Sequence, residues 1–235
     1  MADTHKTMQL LWPDSSRAKR GPKPRMTLEG IVAKAIAIAD AEGLDSVSMQ
    51  RVADELGATK MSLYRYTPGK TELTAVMLDT AIGGPPALSN DGWRAAMTGW
   101  AFALHHAMSS HPWSLELAVG ARVLGPNELG WAEVGLQAMS ETALSRAQRL
   151  DALALITGHV RGMVAQSTGS SAAESLPERG VDSIMAGVIA AHADRYPEVA
   201  AAFADARANS AQDNALTFGL ERILDGLEVA MTRQT

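Results

Sequence analysis

Apolar residues recur at helical spacing along almost the whole chain, and this periodicity limits the possible folds more than any other feature of the sequence. In the segment TLEGIVAKAIAIADAEGL, residues 27–44, the side chains of Ile31, Ala35 and Ile38 fall on one face of a helix. No stretch of useful length alternates between apolar and polar residues, as a half-buried strand would. The sequence therefore predicts an all-α fold.

The clearest boundary is GGPPALSNDG, residues 83–92, because two glycines followed by two prolines cannot continue a helix. Charge is also unevenly distributed along the chain. Residues 17–70 contain ten Lys or Arg and six Asp or Glu, whereas residues 71–235 contain ten Arg and eighteen Asp or Glu. Although the formal net charge is −5, we expect the basic front part to face an anion such as nucleic acid. A chance difference in charge is the alternative.

The composition and the motifs of the chain argue against several classes of protein. The chain of 235 residues has no cysteine, which excludes a disulfide framework and a thiolate zinc site. It has no apolar run of about 18 residues, so we expect a cytoplasmic protein without a membrane span. No phosphate loop, nucleophile elbow or catalytic pair is recognisable, and His105, His106 and His111 have no carboxylate at ligand spacing. The sequence therefore predicts no enzyme, catalytic residue, metal or cofactor.

The stretch LGATKMSLYRYTPGK, residues 56–70, is poorly suited to burial. On a helix over residues 59–66, Leu63 alone marks the inner face, whereas Met61 points the opposite way. The remaining Lys, Arg, Ser and Tyr side chains suit base edges and phosphates in a major groove. Together with the preceding segment, which Ser48 can cap, and a turn at Gly57, the pattern predicts a helix-turn-helix. An ordinary solvated helix hairpin is the alternative.

The run IVAKAIAIADAEGLDSVSMQRVADELGATKMSLYRYTPGKTEL resembles the DNA-binding domain of the TetR (tetracycline-repressor) family, and the resemblance extends over residues 26–82. The segments WRAAMTGWAFALHHAMSSHPW, LGPNELGW and FGLERILDGLE resemble its tetracycline-repressor type of C-terminal domain. The resemblance implies an all-helical homodimer that binds double-stranded operator DNA and a small effector. It implies a flexible arm at residues 1–25, a three-helix DNA-binding domain at 26–70 and a helical effector-binding and dimerisation domain at 71–235. Residues 71–82 would link the last two.

The resemblance also assigns contacts to DNA. Base contacts fall on the first turn of the recognition helix, at Thr59, Lys60 and Met61. Phosphate contacts fall on Ser48, Gln50, Ser62, Tyr64, Tyr66 and Lys70. The segment RGPKPR resembles the basic arm of one subset of the family, and such an arm can lie along phosphates or in a narrow minor groove. A solvated tail is the alternative for the arm residues Arg17, Lys19, Arg20, Lys23 and Arg25.

Apolar and aromatic stripes in the rear domain predict an effector pocket. The residues on or between these stripes are Met97, Trp100, Leu104, Trp113, Trp131, His159, Met163 and Gln166. Tryptophan walls suit planar or apolar ligands. The alternative is that these side chains form an ordinary core, in which His159 is a hydrogen-bonded core histidine.

Two further features predict a dimer interface. Gly158 and Gly162 would let another helix approach closely, and a leucine-rich stripe follows the last helix. The stripe comprises Leu216, Leu220, Ile223 and Leu227, and packing within one chain is the alternative. The predicted function is a bacterial repressor released by a small apolar or aromatic effector. The alternative is a DNA-binding regulator without an effector, whose rear domain only dimerises or meets a protein partner.

Overall fold

The computed structural model describes residues 2–13, 26–172, 178–208 and 215–232, and these ranges contain helices and turns but no strand. The predicted fold class is therefore confirmed. The helices are α1 (Ala2–Leu11), α2 (Leu28–Glu42), α3 (Met49–Glu55), α4 (Lys60–Leu63), α5 (Lys70–Ile82), α6 (Trp93–Ser110), α7 (Ser114–Leu117), α8 (Pro126–Ala138), α9 (Arg146–Ala172), α10 (Glu178–Ala191), α11 (Pro197–Ala208) and α12 (Ala215–Thr232).

The apolar face of α2 builds a first core with α3, α4 and the beginning of α5. We call this the head cluster, and it includes Ile31, Ala35, Val52, Leu63 and Leu73. The hydroxyl of Thr27 caps α2 by accepting a hydrogen bond from the amide of Gly30 at 3.1 Å. Gly43 ends the helix with a φ of +84°, a conformation that favours glycine.

A second core, the core cluster, lies between α6, α8, α9 and α12. Its fully buried side chains include Trp100, Ile156 and Leu220. Gly135 of α8 suits this packing, because a Cβ atom there would displace the end of the Leu153 side chain and crowd the ring of Trp100.

Helix α5 belongs to both cores. Leu73 and Met77 are members of the head cluster, whereas Leu78 and Ile82 are members of the core cluster. A displacement of α5 therefore disturbs the packing of both regions, because protein cores are close-packed.

The N-terminus differs from the flexible arm expected over residues 1–25. Ala2–Leu11 forms a helix that packs on α5, and Leu11 is buried. The indole Nε1 of Trp12 donates a hydrogen bond to the carbonyl of Leu124 at 3.0 Å. The apolar Leu11 and Trp12 contact residues that lie far away in the sequence. Such long-range contacts cannot be predicted from local sequence patterns. The five cations predicted to form the DNA arm lie outside the described residues.

None of the helices in the described ranges combines the length and the apolar character that a membrane span requires.

Candidate functional site

A tight turn positions the predicted recognition helix α4 against α3. Gly57 has a φ of +59°, in the left-handed region, and the amide of Ala58 bonds to the carbonyl of Ala53 at 2.9 Å. The hydroxyl of Thr59 caps α4 by accepting from the amide of Ser62 at 3.3 Å. The regular helix ends at Leu63, so it is shorter than the expected span of residues 59–66.

One side chain fastens α4 to the head cluster. Leu63 is fully buried, as the pattern predicted, and no other residue of α4 is buried. Met61 points outward with 74% of its surface exposed. The ammonium of Lys60 lies 5.9 Å from the centre of the exposed ring of Tyr64. The outer face of α4 is thus an apolar tip flanked by hydrogen-bonding groups.

The other predicted DNA contacts differ in exposure and in their partners within the chain. The exposed Lys70 lies with Nζ 3.5 Å from the carbonyl of Leu44, which is a weak contact. Ser48 caps α3, and Gln50 donates to Asp54 at 2.7 Å. Two more predicted contacts are half-buried: Ser62, whose hydroxyl donates to Thr59 O at 2.6 Å, and Tyr66, which packs on the head cluster.

The rear domain contains a cleft of about 150 Å³, which we call the tryptophan cleft. Three of the predicted pocket residues line it: Trp100, Leu104 and Trp131. The sequence did not predict its other lining residues, which are Ile82, Met108, Arg122, Leu124, Glu128, Ala132, Leu153, Thr157 and Arg161.

Trp113 is the clearest correction to the predicted pocket. It belongs to the head cluster, where its indole donates to the carboxylate of Asp40 at 2.6 Å. His111 contacts the same carboxylate oxygen at 2.8 Å. These contacts join the end of α2 to the segment between α6 and α7, so Trp113 connects the two domains and lies away from the cleft.

Four more predicted pocket residues do not line the tryptophan cleft. Met97 is fully buried within the core cluster, and His159 is held by a contact of 2.9 Å between Nε2 and the carbonyl of Leu216. Met163 is half-buried and Gln166 is exposed. Periodicity identified the apolar faces of α6 and α9. It could not show which residues of each face line the cleft.

The two tryptophans of the cleft connect it to α5. Trp100 donates from Nε1 to the carbonyl of Trp131 at 3.0 Å, and the ring centres lie 5.7 Å apart in an edge-to-face arrangement. Trp131 in turn donates from Nε1 to the carbonyl of Gly83 at 2.9 Å. Gly83 is the residue that ends α5, so one wall of the cleft is bonded to the end of this helix.

Asp79 strengthens the connection between α5 and α8. Its carboxylate accepts from the amide of Glu128 at 3.1 Å, and its carbonyl accepts from the side chain of Asn127 at 2.9 Å. Burial raises the pKa of the Asp79 carboxyl above its ordinary value, while the hydrogen bond from Glu128 opposes the shift. Gly125 is needed beside it, since a Cβ atom there would overlap the Asp79 side chain.

Charged side chains form one end of the tryptophan cleft. Arg122 and Glu128 make two hydrogen bonds, of 2.6 and 2.5 Å, and are 20% and 10% exposed. The Nε atom of Arg161 is buried and has no hydrogen-bond partner. Burial lowers the pKa of Arg161, the positive charge of Arg122 lowers it further, and Glu128 raises it. Within the described residues, no three His, Asp or Glu side chains come together to hold a metal ion.

The predicted dimer interface needs one correction. Leu220 is 1% exposed because it packs inside the core cluster of a single chain, so its side chain leaves almost no surface for a partner. Leu216, Ile223 and Leu227 also pack against that cluster but are only partly buried. A leucine stripe has the same spacing whether it meets its own chain or another copy.

Two family profiles together match most of the chain. Residues 31–77 match the bacterial regulatory proteins of the tetR family, and residues 85–231 match the tetracyclin repressor-like C-terminal domain. The chain is 37% identical over 244 residues to the HTH-type transcriptional repressor DrrR1 of Streptomyces coeruleorubidus, which covers 99% of this chain and 88% of that one. An HTH-type transcriptional regulator of Saccharopolyspora erythraea is 30% identical over 183 residues, covering 77% and 76% of the two chains.

Solved structures show the same fold. ActR of Streptomyces coelicolor, in complex with actinorhodin, is similar with a TM-score of 0.73 at 21% identity, covering 89% of this chain and 98% of that one. The sequence matches and the helix-turn-helix geometry agree. The chain therefore belongs to the TetR family and is a transcriptional regulator rather than an enzyme, with a tetracycline-repressor-like C-terminal domain.

Proposed function

We propose that this regulator is a repressor that binds a near-palindromic operator as a homodimer and leaves it when a small aromatic effector enters the tryptophan cleft. The observation that carries this proposal is the hydrogen bond of 2.9 Å from Trp131 to the carbonyl of Gly83. It joins a wall of the cleft to the end of α5, and the other end of α5 packs in the head cluster.

The exposed side of the helix-turn-helix supports the role in DNA binding. Thr59, Lys60 and Met61 are exposed on the first turn of α4, where a recognition helix contacts base edges. Lys70 and Tyr64 are exposed nearby and supply phosphate contacts. In a two-fold dimer, the half-sites then lie about one helical turn apart, roughly 34 Å, or a small multiple of it.

The size of the cleft requires that an effector bound there separate the walls. The space of about 150 Å³ is smaller than the roughly 300 Å³ that drug-sized ligands usually occupy. An effector of that size must therefore displace a wall, and α8 with Trp131 is the wall bonded to α5. Movement of α5 then changes the separation of the two recognition helices in the dimer.

Exposed apolar side chains support the homodimer. A stable monomer rarely leaves large apolar patches in water. The exposed apolar residues on α9 to α12 include Leu155, Ile184, Met185, Val188, Phe203, Phe218 and Val229. Gly158 and Gly162 have open space where a side chain would project, so a partner helix can approach α9 closely there. We propose this surface as the dimer interface in place of the one that included Leu220.

The small cleft also favours the second candidate, a regulator without an effector. In that case the rear domain only dimerises or meets a protein partner, and the tryptophans are ordinary core. The two candidates differ in one measurable property, because only the first requires a ligand that weakens DNA binding.

The test begins with footprinting of the protein on the DNA that flanks its own gene, which identifies the operator. Fluorescence anisotropy of labelled operator then measures release by candidate ligands. ActR has been solved with actinorhodin and with (S)-DNPA, so these two molecules are suitable starting compounds. Reciprocity requires that a true effector bind less tightly to the DNA complex than to the free protein, by the same factor.

Trp131→Phe tests the connection to α5 because it keeps an aromatic ring but removes the donor to Gly83. We expect the variant to bind both operator and effector, with release reduced several-fold relative to the wild type. Trp93→Phe is the matched control, since Trp93 is half-buried and does not line the cleft. An asymmetric footprint bound by a monomer would contradict the dimer, and ligand affinity independent of operator would contradict the switch.

A further inference from the structure

The charged side chains at the end of the tryptophan cleft differ in whether they have hydrogen-bond or ion-pair partners within the protein. Arg122 and Glu128 neutralise each other through two hydrogen bonds, and Glu128 also accepts from the amide of Gly125 at 3.3 Å. The nearby carboxylate of Asp79 accepts from the first turn of α8. These three side chains therefore already have partners within the protein.

Arg161 is different because it reaches the same place without forming a hydrogen bond or an ion pair with any described residue there. Its Nε atom is buried without a hydrogen bond, and no carboxylate of the described residues lies within ion-pair distance. Leu153, Thr157 and Arg161 follow one another at four-residue spacing on α9, so they share the face that lines the cleft. Arg161 is half-buried and forms no ion pair within the described ranges, and a partly buried cation gains from a directly paired anion, which makes this position receptive to one.

We infer that the cleft binds an aromatic molecule with an anionic oxygen group, a carboxylate or an ionised phenol, that pairs with Arg161. The rings of the ligand contact Trp100 and Trp131 while the anion lies at the charged end. The guanidinium fork of arginine matches such a group with paired hydrogen bonds. This inference rests on the proposed effector cleft and names the chemistry of its ligand.

The volume of the cleft indicates which probes to use. A cavity of about 150 Å³ in another protein binds benzene, so a probe of two fused rings fits this cleft once a wall moves slightly, as the proposed effector requires. The probe pair is 2-naphthoate and 2-naphthamide, which have the same rings but differ in charge. Isothermal titration of the full chain measures both dissociation constants without any need for DNA.

We expect the wild type to bind 2-naphthoate about tenfold or more tightly than 2-naphthamide, because hydrogen bonds to a charged group are the stronger ones. In Arg161→Met the preference should fall to about one, through a loss of carboxylate affinity alone. Arg146→Met is the matched control, because Arg146 is exposed at the start of the same helix and should leave the preference unchanged. Arg161→Lys keeps the charge but loses the fork, so an intermediate preference is expected.

The outcomes separate this inference from the proposed function. Equal binding of both probes by the wild type overturns the anion site but leaves the cleft as a ligand site. An unchanged preference in Arg161→Met also overturns it. Binding of neither probe overturns the inference, whereas the proposed effector site is tested separately by the release of operator DNA with larger ligands. Thermal melting of each variant without ligand checks folding, and Arg161→Met should melt close to the wild type because methionine keeps an apolar side chain at this half-buried position and removes the unpaired Nε atom.

Discussion

The recognition helix and the tryptophan cleft place their polar groups in opposite environments. The head buries a single leucine of α4 and leaves Lys60, Met61 and Tyr64 exposed. The cleft instead encloses charged side chains among tryptophans, and one of them, Arg161, lacks a partner for a buried atom. Exposed groups can follow a long polyanion over its surface, whereas an enclosed charge can select one small ligand. The comparison suggests that replacing single residues will affect the two regions in different ways.

The largest effect should come from Leu63→Ala. Removing a fully buried leucine from a core usually lowers the free energy of unfolding by about 2–5 kcal/mol. Because Leu63 alone fastens α4, we expect specific operator binding to be lost as well. Chemical denaturation and anisotropy measure the two effects. Met61→Ala is the control for stability, since 74% of Met61 is exposed and the free energy of unfolding should hardly change. Wild-type operator affinity in Leu63→Ala would show that α4 has another anchor.

A second pair of variants separates base recognition from phosphate contact within the head. Met61→Ala should weaken binding by about 1–3 kcal/mol at one base pair and leave the salt dependence unchanged. Lys70→Ala should weaken binding to operator and random DNA alike, and lower the slope of log K against log salt by about one unit per half-site. Salt titrations on operator and scrambled DNA distinguish the two. If Met61→Ala weakens both DNAs equally, α4 docks in another orientation.

The smallest expected effect concerns Asp79, at the junction between cleft and α5. Since burial raises its pKa, the folded protein favours the neutral carboxyl more than the unfolded chain does. The free energy of unfolding should therefore gain a contribution as the pH falls through the folded pKa, and the gain is complete below the ordinary value. Asp79→Asn keeps an acceptor for the amide of Glu128 and should remove this contribution. Urea unfolding of both proteins across the acidic range measures it, and parallel pH profiles would contradict the assignment.

The helix-turn-helix could be predicted from sequence because local signals determine it. Ser48 caps its helix as expected, Thr27 and Thr59 cap theirs in the same way, and Gly57 adopts the left-handed turn. Each of these roles depends on neighbours a few residues away, which short-range patterns describe. The burial of Leu63 follows from the same helical geometry.

The cleft and the dimer surface depend on contacts between residues that are distant in the sequence, so they could be predicted less well from sequence patterns. Trp113 was grouped with the pocket tryptophans, but it packs against Asp40, which lies 73 positions earlier in the chain. Leu220 has the spacing of an interface stripe and belongs to the core. Arg161 did carry a signal, because it follows Ile156 and Val160 on a largely apolar part of α9, and a lone charge there indicates a buried site.

In the proposed switch, helix α5 carries movement from the cleft to the head, and the size of that movement can be compared with the spacing of DNA base pairs. Its 13 residues, Lys70–Ile82, correspond to a length of about 20 Å. A tilt of roughly 10° displaces one end of a helix of this length relative to the other by roughly 3.4 Å. That displacement nearly equals the rise of about 3.4 Å between successive base pairs. In the proposed switch, a rotation too small to unfold any helix would thus move the head by about the spacing of one base pair.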